Sequence, residues 1–165
     1  MGKKARDIVK MDMQELLKDL NSLYADEWIA FYYYTWAASY AEGPSSPSIT
    51  SEIEKISKDE FEHSSELADR IYELGGEPER ELENLQKIAN CKKITFPKDE
   101  RDIDGILNAL TAAEACAIEG YNKLLLKISS CYANDVRTFH LIQHILSEEI
   151  EHEEAFENLL EKKRQ

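Results

Sequence analysis

Positive charge is scarce in this chain: 20 Lys and Arg stand against 33 Asp and Glu, for a net charge of -13. A field of that sign repels phosphate backbones, which argues against nucleic acid as a main partner and favours cations. Long apolar runs are also missing. No stretch of 18 apolar residues exists to span a bilayer, and the opening MGKKARDIVKMDM has no signal-peptide core. The expectation is a cytoplasmic protein without membrane contact. Glycine and proline, six and four in number, sit in short stretches, and no long β-branched alternation occurs. The class is therefore all-α. The three cysteines, Cys91, Cys116 and Cys131, are an odd count that points to redox or free-thiol chemistry, not a disulfide framework.

A length of 165 residues suits a single domain, 1-165, with a sizeable core. The bundle is expected over about 12-163, after an N-terminal tail, 1-11. Lys3, Lys4 and Arg6 in that tail read as a solvated helix approach or as a short arm able to touch DNA. A first helix starts at Asp12, which has capping-box spacing to Glu15, and runs to the Gly43–Ser48 stretch. A second runs from about Ser48 to Gly75-Gly76, a third from about Asp104 to Ser129, and a fourth from Asp135 to about Lys163. The first and last connections are short hairpins. The middle one, about residues 76–103, carries a short amphipathic helix at 81–89 and is long enough to cross a helix of about 40 Å. The expected fold is a four-helix bundle with one long crossover between the second and third helices.

The seams of these helices carry the chemistry. The second reads Ile53, Ile56, Glu60, His63, Leu67, Ile71, and the fourth Ile142, Ile145, Glu149, His152, Phe156. The first places Glu27 among Leu20, Leu23, Phe31 and Tyr34, and the third places Glu114 among Leu107, Leu110, Ala117 and Tyr121. All six polar residues thus occupy positions that the 3.6-residue period assigns to the core. An unpaired buried carboxylate costs several kcal/mol, so four in one core need protons or cations. Two divalent cations balance them. The Glu-x-x-His step sets a carboxylate and an imidazole about 5 to 6 Å apart on one face, close enough to address one metal or a bridged pair. Glu60 and Glu149, on the two histidine-bearing helices, are the expected bridges.

Tyr34 and Tyr121 each lie two turns beyond a candidate glutamate, where a phenol can bond the carboxylate or simply fill core. His140 and His144 fall outside the seam and suit a surface or subunit contact. Helix length separates Cys116 from Cys131 by roughly 22 Å, beyond disulfide reach, so an intrachain disulfide must use Cys91.

The segments ADEWIAFYYY (25–34), KDEFEHSSELADRI (58–71), AAEACAIEGYNKLL (112–125) and DVRTFHLIQHILSEEIEHEEAFE (135–157) resemble the ferritin-like superfamily. The likeness is greatest to its DPS-like branch, the thioferritins. The resemblance implies a bacterioferritin-type di-iron site in each subunit of a cage of 12 subunits, with Glu27, Glu60, His63, Glu114, Glu149 and His152 as metal ligands and catalytic groups. Two iron ions per subunit are implied as cofactors, although carboxylate and imidazole ligands also suit manganese or zinc. It also implies a redox-active pair of Cys91 and Cys116; Cys131 has no counterpart in the family and is expected to be a free thiol. The implied activity is a ferroxidase that oxidises Fe(II) with hydrogen peroxide and stores Fe(III), protecting against oxidative stress. Competing expectations are a di-metal peroxidase of rubrerythrin or manganese-catalase type, a DNA-protecting Dps-type protein, and a metal-free bundle with protonated carboxylates. The rubrerythrin case is weakened by the absence of paired Cys-x-x-Cys knots.

Overall fold

The computed structural model describes residues 3–44, 46–91, 93–130 and 135–162. Among the described residues there are six helices and no strand. They are α1 (Lys3–Asp7), α2 (Met13–Tyr40), α3 (Ser46–Leu74), α4 (Leu82–Ile88), α5 (Ile103–Ser129) and α6 (Val136–Lys162). The end expected at Lys163 lies outside the described residues, as does Cys131.

The boundaries follow from local chemistry. Asp12 caps α2 by accepting from Glu15 N at 2.8 Å. The Glu15 carboxylate does not complete the expected capping box but reaches Lys127 Nζ on α5 at 2.5 Å. Asp102 caps α5 through Gly105 N at 2.9 Å, and a Cβ at Gly105 would stand 2.4 Å from that cap's Oδ2. Gly75, at φ +88°, ends α3 in the left-handed conformation, and Gly76 N closes the turn on Ile71 O at 3.0 Å. Asp135 accepts from Thr138 N at 3.1 Å at the start of α6 and also receives Arg70 Nη2 from α3 at 2.8 Å. Arg70 is 3 % exposed, so this is a buried ion pair joining two helices.

α2 packs on α3 and α5 on α6, and the two hairpins meet through α2–α5 and α3–α6 contacts. One apolar cluster joins Tyr34 and Ala37, Ile53 and Ile56, Ile106 and Leu107, and Phe156 and Leu160. The other joins the opposite halves, with Leu16 and Leu20, Leu67 and Ile71, Tyr121 and Leu124, and Ile142 and Ile145. The C-terminal half of α2 therefore meets the N-terminal halves of α3 and α5, so α3 and α5 run parallel. That is the expected crossover topology, with α4 in the link and lying against α2. Each fully buried Leu or Ile contributes about 1.5–3 kcal/mol, so these two layers carry most of the packing energy.

The N-terminal segment differs from the expected tail. Residues 3–7 form α1 in contact with α3. Val9 and Met11 pack partly buried on the lower cluster, which binds this segment to the bundle, while Lys4 and Arg6 stay exposed.

Candidate metal centre

The two apolar layers leave a polar slab between them, and every one of the six predicted residues lies in it. Glu27, Glu60, His63, Glu114 and Glu149 are at most 2 % exposed, and His152 is 6 % exposed. They form two overlapping groups, Glu27–Glu60–His63–Glu149 and Glu60–Glu114–Glu149–His152, each with its ligand atoms within 4.8 Å of one another. Glu60 and Glu149 belong to both. His63 Nδ1 stands 2.9 Å from Glu149 Oε1 and 3.4 Å from Glu27 Oε2. His152 Nδ1 stands 3.1 Å from Glu60 Oε1 and 4.0 Å from Glu114 Oε1. The two halves are near-copies.

Buried polar atoms normally find partners. Here Glu27 Oε2, Glu60 Oε1, Glu114 Oε1, both Glu149 carboxylate oxygens and both histidine Nδ1 atoms are buried without an aligned hydrogen bond. Atoms orphaned in this way, converging from four helices, fit a pair of cations.

The electrostatics agree. Burial, then the charges of Glu149 and Glu114, push Glu60 well above the carboxylate range, and burial with Glu149 does the same to Glu114. Burial and the Glu27 charge lift Glu149 to about 7. Burial disfavours the His63 cation, but Glu149 and Glu27 beside it outweigh this and raise it to about 12. Burial would raise Glu27 as well; His63 reverses the effect and holds it low. Burial and the His63 charge hold His152 down, in its neutral form. Without cations the slab therefore stores protons, which cation binding must displace.

Reciprocal contacts hold the ligand candidates. Tyr121 on α5 donates to Glu27 Oε1 on α2 at 2.5 Å, while the Tyr34 phenol on α2 faces Glu114 on α5. The same exchange links the other two helices. His63 Nε2 on α3 meets Glu148 Oε2 on α6 at 2.8 Å, and His152 Nε2 on α6 faces Asp59 Oδ2 on α3 at 3.5 Å. A carboxylate on Nε2 fixes the tautomer that leaves Nδ1 free for a cation.

A ferritin-like domain model matches residues 17–165. The chain belongs to the ferritin-like family. A DNA protection during starvation protein from Pyrococcus furiosus is 37 % identical over 150 residues, which are 91 % of this chain and 79 % of that protein. Among solved structures, the dodecameric thioferritin of Bacteroides fragilis, a bacterioferritin-related protein, superposes with a TM-score of 0.89 at 30 % identity, covering 98 % of this chain and 94 % of that one. The Desulfovibrio desulfuricans bacterioferritin, described with a diiron site, gives a TM-score of 0.70 at 23 % identity over 98 % and 84 % of the two chains. At that identity the likeness concerns the fold.

In this ferritin-like chain Cys91 and Cys116 form a disulfide, with Cα atoms 5.8 Å apart, that ties the crossover to α5. Asp26, 6 % exposed, ties the same segment to α2 by accepting from Cys91 N and Asn90 Nδ2, each at 2.8 Å. Burial lifts its carboxyl to about 7 against those hydrogen bonds. His140 and His144 lie exposed on α6, outside the slab, and His144 Nε2 stands 3.5 Å from Glu148 Oε2. Asp59, Glu148 and Asp26 were not anticipated. A signal existed for all three, since each acid immediately precedes a seam glutamate.

Among the described residues no helix is long and apolar enough to cross a membrane.

Proposed function

We propose that this ferritin-like protein is a ferroxidase that oxidises two Fe(II) with hydrogen peroxide at the buried slab and stores Fe(III) in a homo-oligomeric cage of 12 subunits. The observation that carries the reading is the pair of overlapping four-residue groups sharing Glu60 and Glu149. Those two carboxylates would be shared between the substrate ions, with Glu27 and His63 completing one position and Glu114 and His152 the other. Four carboxylates balance two divalent ions, so binding removes the stored protons and the orphaned charge together. Tyr121 and Tyr34 keep the terminal carboxylates in place, and Glu148 and Asp59 keep the imidazole Nδ1 lone pairs facing the ions.

In the reaction each Fe(II) gives one electron, the O–O bond breaks, and two protons are taken up to leave two waters. Pairing the ions lets both electrons pass in one encounter, so no hydroxyl radical is released. The dodecameric state of the thioferritin and the diiron site of the bacterioferritin support the cage and the metal. The Pyrococcus relative, named for DNA protection, lends the Dps-type reading some support, but a net charge of -13 opposes direct nucleic-acid contact.

An anaerobic Fe(II) titration of metal-free protein, followed by peroxide or dioxygen, tests the proposal. A break near two ions per subunit, faster oxidation by peroxide and continued loading are expected. Two ions with no further uptake would move the assignment to a peroxidase; no tight binding would end it.

A further inference from the structure

The polar slab is sealed above and below by apolar layers, yet it is open sideways. Between α2, α5 and the crossover residues Asn90, Cys91, Lys93, Ile94 and Thr95 lies a cavity of about 420 Å³. Glu27, Glu60 and Glu114 line its floor, and one carboxylate oxygen of each is buried without a hydrogen bond. Ala109, Ala112, Ala113 and Cys116 line one wall, at i, i+3, i+4 and i+7 on a single face of α5. Ile29 and Ala30 of α2 line the opposite wall. Lys93 and the Cys91–Cys116 disulfide border it on the crossover side. Asp26 lines it as well, but Cys91 N and Asn90 occupy its two oxygens.

The cavity's small side chains create the space, because the neighbouring Leu107 and Leu110 on the same helix are fully packed. Its chemistry selects the user. Alanine and isoleucine walls offer nothing to replace the hydration shell of a divalent cation, and the exposed Lys93 ammonium opposes positive charge. On the α3–α6 side the conditions are reversed: the side chains of Asp59 and Glu148, which touch the two histidines, are 36 % and 40 % exposed.

We propose that the cavity is the port for the small uncharged oxidant, and that cations reach the slab from the α3–α6 side. This rests on the di-iron reading and specifies how the two substrates stay apart. Ala112, exposed at the mouth, and Ala109, half-buried along the wall, set the bore.

The test uses the assembled full chain with Ala112→Phe, with the smaller plug Ala109→Leu in case the first fails to assemble, and with Ala112→Ser as a control that keeps the bore. Xenon pressurisation of crystals reports the open cavity, Co(II) absorbance titration reports cation binding, and stopped-flow mixing reports Fe(II) oxidation. Either plug should exclude xenon, leave the Co(II) break and its rate unchanged, and slow peroxide oxidation by about tenfold or more; Ala112→Ser should match the parent. An unchanged oxidation rate with xenon excluded overturns the port. So does Co(II) binding that slows in step with oxidation, because cations would then share the route. A parent protein that binds no Co(II) pair refutes the di-iron reading instead, and xenon occupancy separates the two failures.

Discussion

The slab has two sides built from the same helical geometry but from opposite materials. On the α3–α6 side the supports are ionic, with two imidazoles, each backed by a half-exposed carboxylate from the facing helix. On the α2–α5 side they are phenols, alanines and a disulfide around an apolar cavity. The contrast shows that one bundle can give the two sides of a single slab opposite chemistry by changing what lies one helical step from the seam. The two four-residue groups of candidate ligands are themselves alike.

The largest effect expected from breaking this arrangement comes at the shared carboxylates. Glu149→Ala removes a group common to both halves, so Co(II) or Fe(II) titration should lose the two-ion break altogether. Glu114→Ala touches one half and should leave a single ion bound; equal stoichiometry for both variants would refute the bridging role.

The ionic slab also sets a pH dependence. Glu60, Glu114 and Glu149 have folded pKa values above their unfolded ones, so stability falls as pH rises above the unfolded carboxylate range of about 4.3 and levels off only past the folded values, near 7 for Glu149 and higher for the other two. His63, raised to about 12, adds stability that is full below about 6.5 and is lost as pH climbs towards 12. The lowered Glu27 and His152 act in the opposite sense but are fewer. The urea midpoint of cation-free protein should therefore fall between pH 6 and 9, and cation loading should abolish the trend. A midpoint that rises over that range would contradict the protonated slab.

On the apolar side, the Cys91–Cys116 bond closes a loop with a sequence separation of 25. Cys116→Ser should lower unfolding free energy by about 3 kcal/mol by chain entropy, measured against the oxidised parent. Glu148→Gln, on the ionic side, should weaken cation affinity by about 10–100-fold without altering xenon occupancy. Smallest is Tyr121→Phe, which removes one hydrogen bond to Glu27 worth about 1 kcal/mol. A few-fold weaker cation affinity at an unchanged stoichiometry should register it.

Periodicity made the six inward residues legible, because a charged group at a core position of a 3.6 repeat has nowhere else to point. The crossover was legible from link length, which permits a parallel course of α3 and α5 that the two core clusters then establish. What was harder to read lay one step of rotation away, in acids marked only by the seam glutamate that follows each of them. Asp59, Glu148 and Asp26 sit about 100° off the seam, where an acid on a polar helix reads as solvated; the facing helix supplies the partner of the first two, and the crossover supplies those of Asp26. Arg70 escaped notice for the same reason, since its burial depends on Asp135, 65 residues away. The Cys91–Cys116 pairing rested on family resemblance, and the helical turn at residues 3–7 on the apolar anchors Val9 and Met11, which are too few to show a period.

The exchange of supports between helices constrains when the slab can exist. Glu27 depends on Tyr121 and His63 on Glu148, partners separated by 94 and 85 residues, so neither helical hairpin can preassemble its own half. As the chain leaves the ribosome, α2 and α3 are complete long before α6 delivers Glu149 and His152. A nascent hairpin therefore presents scattered acids to the cell, and on the proposed di-iron reading it would be unable to hold a metal pair until the last helix docks.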